Sequence, residues 1–419
     1  MRQQKIVTIV LCVVMALSCA LMATACSKPA SEKEPATEDA SSATEPEDST
    51  PVEESSDQSA TEEVQAKTIG FYADTADSYY RLMKDALQAL SDQDPETDWE
   101  INYEVGQNTA EGQIKAVENF IAAEVDAIIV IQYDADTTSE CIAKCKAANI
   151  PYFGAAHYFG QVNNAGDSAG STDFDFKACG VAAGEDALAK GVKNVIMMEG
   201  ELGQGTAGDQ TLGFLEAYEA AGKSLGEKAD GSAWTASDVA TQKPVADDVK
   251  GEPDVVVVQW SSGNWMVDSA KDEMSNVISS LGKDGWDGAY VQNNPMVEGA
   301  IEAMRAAGLT TEDYWLGSSN GREISWQWAK DGVISMDVNQ PPTIEGAILY
   351  QQLKAYFNGA EYRKHLHPYI TPYTKEDIAE KEATLVPIES VDDFIARVND
   401  NSIVWNIDDP KFINAEGNW

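Results

Sequence analysis

One six-residue segment of the chain, GQGTAG at positions 203–208, has the glycine spacing of a dinucleotide-binding loop. Glycines at this spacing let a backbone approach a pyrophosphate at the N-terminus of a helix, as an oxidoreductase that uses NAD requires. The segment follows a predicted strand and precedes a predicted helix. It lies in the middle of the chain, however, and follows a series of α/β units that is already complete. We therefore interpret it as a loop without a cofactor.

Residues that could perform catalysis or hold a metal do not form a recognisable set. The sequence contains no Gly-x-Ser-x-Gly or His-Glu-x-x-His segment and no phosphate loop with a lysine. Cys141 and Cys145 lie one helical turn apart, as a metal or redox pair also would, but we interpret them as small buried side chains. None of His157, His365 and His367 has a partner at metal-ligand spacing. We predict no metal and no enzyme; an exported glycosidase with a carboxylate pair is the enzymatic alternative.

The thiol of Cys26 is a further candidate for chemistry, because it ends an N-terminal apolar run. Two basic residues precede the run at 6–25, which closes with the small residues Ala-Thr-Ala. This pattern predicts a signal peptide at 1–25. A cysteine in this position resembles the bacterial lipobox, in which the thiol carries a diacylglycerol. A plain secretory signal is the alternative, but we expect a lipid-anchored protein on the extracytoplasmic face of a bacterial cell membrane.

The composition divides the mature chain into a tether and a folded part. Residues 27–66 contain twelve acidic residues and two lysines, with no aromatic residue, Leu or Ile. Such a segment has nothing to bury, so we predict a disordered acidic tether at 26–66. The whole chain has a formal net charge of −41. This charge argues against nucleic acid as a partner, because binding to phosphates depends on Lys and Arg.

From residue 67 onwards, apolar runs typical of buried parallel strands alternate with amphipathic helical segments. The first series has predicted strands at 67–72, 99–105, 126–131 and 150–153, separated by helices at 79–91, 110–123 and 139–148. The second series has predicted helices at 176–190, 213–221, 269–281 and 296–307, with strands at 192–198, 254–259, 288–292 and 314–317. The alternation predicts an α/β fold of two similar lobes, each an open parallel sheet with helices on both faces. Ligands of such sheets bind beyond the carboxyl ends of the strands.

Six short segments occur in an order and spacing that resemble the ribose-type periplasmic sugar-binding proteins. They are VGQNTAEGQ at 105–113, DAIIV at 126–130, ANIP at 148–151, TAGDQTLGF at 206–214, NNPMVEGA at 293–300 and TPYTKE at 371–376. Each segment alone is a weak signal, whereas six in order are a strong one. The resemblance covers about residues 67–376 and leaves a tail that compact members of the family do not need.

The resemblance implies the type I periplasmic binding protein fold, with two lobes joined by a three-strand hinge. The N-terminal lobe would be residues 67–171 plus 341–366, and the C-terminal lobe 172–340 plus part of 367–419. It also implies a monomer that captures a small molecule, a sugar or sugar-like compound, and delivers it to the membrane permease of an ABC importer. A sensor subunit that presents a sugar, nucleoside or cyclitol to a membrane receptor is the alternative function.

The resemblance also assigns residues to the ligand cleft. Tyr79 and Tyr80 match an aromatic pair that stacks on a sugar ring, and Asp77 matches a polar position before the pair. Trp265 matches an aromatic residue of the opposite lobe. Two further positions, Asn293 and Gln340, match amides that bind hydroxyl groups. Aromatic faces suit the C–H faces of sugars, while amides and carboxylates orient the hydroxyls.

Several positions depart from the family pattern and reduce its charged hydrogen-bonding set. Ala156 and His157 stand where the family has an Asp-Arg pair, and Gly208 stands where it has an arginine. Ser319, followed by Asn320, replaces an aspartate. A nucleoside, a modified sugar or a cyclitol therefore also fits the pattern as ligand. The candidates to replace the missing groups are His157, Tyr158, Trp260 and Asn320.

Overall fold

A computed structural model of the protein describes residues 64–157, 159–160, 162–202 and 204–414. The predicted signal peptide, Cys26 and nearly all of the predicted tether lie outside this part of the chain, as do Tyr158 and Gly203. Within it, no helix combines the length and the apolar character needed to cross a membrane.

The helices and strands follow the predicted alternation as far as residue 317, apart from a strand at Gly170–Thr172 and a helix at Ala236–Gln242 that were not predicted. The N-terminal elements are β1 (Lys67–Ala73), α1 (Ser78–Gln93), β2 (Trp99–Val105), α2 (Ala110–Ala122), β3 (Ala127–Ile131), α3 (Ala135–Ala148), β4 (Tyr152–Ala155) and β5 (Gly170–Thr172). The middle elements are α4 (Phe176–Lys190), β6 (Asn194–Glu199), α5 (Gly205–Ala220), α6 (Ala236–Gln242), β7 (Val256–Ser262), α7 (Val267–Leu281), β8 (Gly288–Val291), α8 (Asn294–Ala306) and β9 (Trp315–Gly317). The C-terminal elements are α9 (Glu323–Asp331), β10 (Met336–Asn339), α10 (Pro342–Phe357), β11 (His365–His367), β12 (Thr371–Thr374), α11 (Ile378–Lys381), α12 (Val391–Asn399) and β13 (Ile413–Asn414).

These strands form two sheets, and each sheet is the centre of one lobe. Among the described residues, the sheet of the first lobe has the order β13-β11-β5-β4-β3-β1-β2 and that of the second lobe β12-β10-β9-β8-β6-β7. Neighbouring strands are parallel except at one edge of each sheet, where β13 pairs with β11 and β12 with β10 in antiparallel register. The predicted fold class, an α/β protein with two parallel sheets, is confirmed.

Both faces of the first sheet are buried, which explains the continuous apolar runs of its strands. Ile69 and Phe71 of β1 face a core that also contains residues of α1 and α10. Tyr72, the next residue along β1, belongs to the opposite core, formed with α2 and α3. Helix α10 approaches α1 so closely that a Cβ atom at Gly346 would overlap the carbonyl oxygen of Met83. Glycine at this position is therefore a requirement of the helix packing.

The chain passes between the sheets after β5, after β10 and after β11. It then passes once more, because Leu385 is buried in a core of the second lobe and Val386 in a core of the first. Beyond this point α12 packs against α1. We call residues 385–390 the strap. The family resemblance implies three passages, and the strap is not among them.

Candidate functional site

A cavity of about 920 Å³ lies between the two lobes, where the carboxyl ends of the central strands of both sheets face each other. The first lobe contributes residues that follow β1, β2 and β4, and the second lobe residues that follow β6, β7, β8, β9 and β10. A cavity of this size is large enough for a monosaccharide or a compound of similar size.

The wall of the first lobe combines aromatic rings with a buried acid. Asp77 caps the N-terminus of α1 by accepting from the backbone N–H of Tyr79 at 2.8 Å, which positions the tyrosine pair. The rings of Tyr79 and Tyr80 lie edge to face, with centroids 6.0 Å apart. The Tyr80 hydroxyl lies 3.0 Å from Nε2 of His157, and the same nitrogen is 3.7 Å from Oδ2 of Asp74.

Asp74 is the most informative polar residue of this wall. It follows β1 directly and is only 3 % exposed, although it lines the cavity. Its Oδ1 atom has no hydrogen-bond partner within the described part of the chain. A buried carboxylate oxygen without a partner is costly, so such an atom beside a cavity indicates a place for a ligand donor.

The wall of the second lobe is dominated by Trp265. Its indole ring covers Gly200, where a Cβ atom would overlap the ring, so glycine is needed at that position. The indole N–H donates to Oε1 of Gln204 at 2.9 Å. Asn264 and Trp265 both have positive φ angles, 49° and 59°, which turn the chain sharply after β7. The turn places the aromatic ring opposite the tyrosines of the first lobe.

The three amides assigned to the cleft line the cavity, but each also has a structural partner. Asn293 caps α8 by accepting from the N–H of Met296 at 2.9 Å. Asn320 accepts from the N–H of Asn294 at 3.1 Å, and Gln340 accepts from the thiol of Cys179 at 3.1 Å. Each amide nevertheless has a donor or acceptor left that could orient a ligand.

The structure thus brings eight of the nine predicted ligand-binding residues to the cavity wall, and their contact with ligand stays a prediction. These are Asp77, Tyr79, Tyr80, His157, Trp265, Asn293, Asn320 and Gln340. Ser319 does not reach the wall. It is fully buried behind Gln210, whose Oε1 accepts its hydroxyl hydrogen bond at 3.1 Å.

Trp260, another candidate from the sequence, also lies away from the cavity. Its indole N–H donates to the carbonyl of Pro244 at 3.0 Å, and the Lys243 ammonium lies 4.6 Å from the ring centroid. Several residues of the wall were not predicted from the sequence, notably Asp74, Arg322, Ile388 and Glu389. The position of Asp74 directly after a predicted strand could have indicated it, because ligands bind at strand ends.

The structure places the glycine-rich segment beside the cavity and the paired cysteines inside a buried helix face. Gln204 and Thr206, on the loop that begins α5, line the same cavity. Cys141 and Cys145 are buried on α3, and burial raises the pKa of the Cys145 thiol to about 12. Such a thiol stays protonated and unreactive at neutral pH. Among the described residues, no three His, Cys, Asp or Glu side chains are grouped as metal ligands would be.

A buried acid supports the tyrosine pair from behind. Glu345, at the start of α10, is fully buried, and its Oε2 accepts from the Tyr79 hydroxyl at 2.7 Å. Burial raises the pKa of Glu345 well above its usual range, and the Tyr79 hydrogen bond opposes this rise only in part. Burial therefore favours the neutral form of the side chain that holds Tyr79.

Two similar α/β lobes with a lined cavity between their strand ends define a binding protein whose ligand lies between domains. The sequence profile described as the Periplasmic binding protein domain matches residues 69–361. The chain therefore belongs to this family. Its members are extracytoplasmic binding proteins rather than enzymes.

Individual relatives share about a quarter of the sequence. The chain is 27% identical over 248 residues to the galactofuranose-binding protein YtfQ of Escherichia coli, an alignment that covers 58% of this chain and 67% of the relative. It is 25% identical over 338 residues to the fructose import binding protein FruE of Bifidobacterium longum, covering 78% of this chain and 90% of the relative. The crystal structure of a galactofuranose binding protein is similar in fold, with a TM-score of 0.62, 22% identity and coverage of 75% of this chain and 97% of that one.

Proposed function

We propose that the protein is the solute-binding subunit of an ABC importer and captures a sugar or sugar-like molecule in the interlobe cavity. The observation that carries the proposal is the meeting of aromatic rings on facing walls with a buried acceptor, Asp74 Oδ1, that has no partner in the described part of the chain. A sugar offers both complements, because its C–H faces suit aromatic rings and its hydroxyls donate to carboxylates.

The relatives support this ligand class. Two of the relatives are named for galactofuranose and for fructose import. We assign residues 67–171 plus 341–366 to the lobe that contains Asp74 and the tyrosines, and 172–340 plus part of 367–419 to the lobe that contains Trp265. Closure of these lobes on the ligand would be the step that the permease recognises.

We further propose that the mature chain is a monomer anchored by a lipid on Cys26. The anchor is supported by the sequence, in which small residues precede Cys26 and an acidic segment without aromatic residues, Leu or Ile follows it. The monomer is what the family resemblance implies. Residues 27–66 would then act as a flexible tether that keeps the binding lobes clear of the membrane surface.

A thermal-shift screen of the purified chain tests the proposed function. The screen should contain neutral pentoses, hexoses and polyols, D-galactose, D-fructose and myo-inositol among them. A ligand present at a hundred times its Kd stabilises the folded state by about 2.7 kcal/mol, which shifts the melting temperature measurably. Incubation with p-nitrophenyl glycosides of the sugars that bind, followed by measurement of released p-nitrophenol, separates a binding protein from a glycosidase, because a free monosaccharide has no glycosidic bond to hydrolyse. If no carbohydrate raises the melting temperature, or if such a glycoside is hydrolysed, the proposal fails.

A further inference from the structure

The strap supplies two residues of the cavity wall, Ile388 and Glu389. The family profile ends at residue 361, so this part of the wall lies outside the matched region. Ile388 is buried, whereas Glu389 keeps 41 % of its side chain exposed and faces Arg322. The C-terminal tail, which the family profile does not match, therefore contributes directly to the cavity wall.

Hydrogen bonds hold the strap in a defined position. The carboxylate of Glu323 accepts from the backbone N–H groups of Ile388 and Glu389, at 2.9 and 3.0 Å. Asn339 exchanges two hydrogen bonds with the backbone of Val386, one accepted at 2.9 Å and one donated at 3.1 Å. These hydrogen bonds fix the strap near both of its ends. The side chains of Ile388 and Glu389 therefore have defined positions on the cavity wall.

Glu389 is paired with an arginine that lines the cavity. Nε of Arg322 donates to Oε1 of Glu389 at 2.9 Å, and Nη2 contacts the same oxygen. A second carboxylate near Arg322, that of Glu298, is farther away, with its Oε2 atom 4.0 Å from Nη1 of Arg322. Arg322 immediately precedes α9 and lies two residues after Asn320, one of the predicted ligand residues. Both residues line the cavity, so the guanidinium belongs to the same part of the wall.

The charges that line the cavity are mostly acidic. Besides Arg322, the lining contains one other cationic residue, Arg81, among the described residues of the wall. The acidic residues of the lining are Asp74, Asp77, Glu201 and Glu389. Because the carboxylate of Glu389 neutralises Arg322, the wall offers hydrogen-bond donors without offering a net positive charge.

We propose that Arg322 and Glu389 are a specificity-determining pair. Arg322 donates hydrogen bonds to hydroxyl oxygens of the ligand, while Glu389 cancels its charge and repels a carboxylate on the ligand. The cavity thereby selects a neutral polyhydroxylated molecule over the corresponding sugar acid. This inference rests on the proposed function and goes beyond it, because it names the charge class of the ligand and assigns its selection to Arg322 together with Glu389, which lies outside the family match.

Calorimetry with matched neutral and acidic sugars tests the pair. The probes are D-galactose with D-galacturonate, D-glucose with D-glucuronate, and D-mannose with D-mannuronate. In the full chain we expect a preference for the neutral member of the pair that binds. Glu389→Gln should reduce this preference at least tenfold, because it exposes the charge of Arg322 to the acid. The double variant Glu389→Gln/Arg322→Gln should lose the gain in acid binding, which shows that Glu389 acts through Arg322.

Glu382→Gln is the matched control. Glu382 also belongs to the tail and also pairs with a cation of α9, with Lys330 Nζ 2.7 Å from its Oε1, but neither residue lines the cavity. The Glu382→Gln variant should prefer the neutral sugar over the sugar acid as strongly as the unaltered chain does. An unchanged preference in Glu389→Gln, or an equal change in Glu382→Gln, would overturn the inference while leaving the proposed function intact. Failure of the unaltered chain to bind any sugar in the wider screen would overturn both.

Discussion

The Nδ1 atom of His157 lies 3.2 Å from the hydroxyl oxygen of Thr206, so that a side chain following β4 in the first lobe contacts the first turn of α5 in the second. The other ring nitrogen of His157 contacts the Tyr80 hydroxyl. One imidazole therefore connects the aromatic wall of one lobe to the opposite lobe. The contacts of His157 therefore hold the two walls of the cavity together at this point.

Trp265→Ala should weaken sugar binding at least about tenfold, equivalent to about 1.4 kcal/mol, because it removes the aromatic face of the second wall. The matched control is Trp260→Ala, since Trp260 belongs to the same lobe and does not line the cavity. The control should lower the melting temperature and leave the Kd within about twofold. Equal Kd values for Trp265→Ala and the unaltered chain, by titration calorimetry, would remove Trp265 from the site.

Glu345→Gln should make stability less dependent on pH. The pKa of Glu345 is raised by burial, so above the pKa of the unfolded chain, about 4.3, the folded chain binds one more proton than the unfolded chain. The free energy of unfolding should therefore fall as the pH rises from this value through the raised pKa, and the glutamine variant should lack this fall. Urea denaturation at a series of pH values measures it, and parallel curves for the two proteins would contradict the prediction.

Tyr79→Phe tests the other side of the same hydrogen bond. The variant leaves Oε2 of Glu345 without the hydroxyl that now donates to it, which should cost about 1–3 kcal/mol of unfolding free energy. The double variant Tyr79→Phe/Glu345→Gln is the control for the coupling between the two groups. If the two single effects simply add, the hydrogen bond does not hold the tyrosine in place.

The buried pair of His367 and Asp173 should make the protein less stable in alkali. Burial alone would lower the pKa of His367, but the Asp173 carboxylate, whose Oδ1 is 2.8 Å from Nδ1, outweighs burial and raises the pKa to about 9. A raised histidine pKa gives stability that is fully present below about 6.5 and is lost as the pH rises through about 9. The loss should approach about 3 kcal/mol and be absent from Asp173→Asn/His367→Gln, as measured by denaturation at pH 6.5 and 9.5.

Cys26→Ala should release the protein from the membrane, because the thiol is the only proposed point of lipid attachment. Fractionation of cells that express the variant, followed by detection in the medium or periplasm, measures the change. Ser27→Ala is a matched control, since it alters the neighbouring residue and keeps the thiol. Retention of Cys26→Ala in the membrane fraction would contradict the anchor.

The sequence predicted the fold well where burial leaves a clear pattern. β3, with the sequence AIIVI, is buried along its whole length and was recognisable as a parallel strand covered on both faces. Helix α10 was not predicted, because buried residues surround it and leave no polar face to reveal its period. β5 and β11 have only three residues each, too few for a periodic signal.

The site was predictable only in part, for a related physical reason. The tyrosines follow the first strand at a position that the family resemblance supplies, and the structure places them on the cavity wall. Arg322 and Glu389 are 67 residues apart and meet only because the strap returns across the hinge. Ser319 lies in the core behind the cavity, as Ser318 does, and Asn320 is the first residue after β9 that lines the cavity. A single sequence does not specify such pairings.

The four passages of the chain between the lobes lie side by side. Thr172 and Leu366 are paired in one sheet, Asn339 and Thr371 in the other, and Asn339 also binds Val386 of the strap. Segments that connect two lobes along one line allow rotation about that line but oppose sliding and twisting of one lobe against the other. We therefore expect the lobes to open by rotation about this hinge axis. Gln340, which lies at the axis, should stay almost stationary, and the gap should be widest at the opposite edge, where a sugar enters.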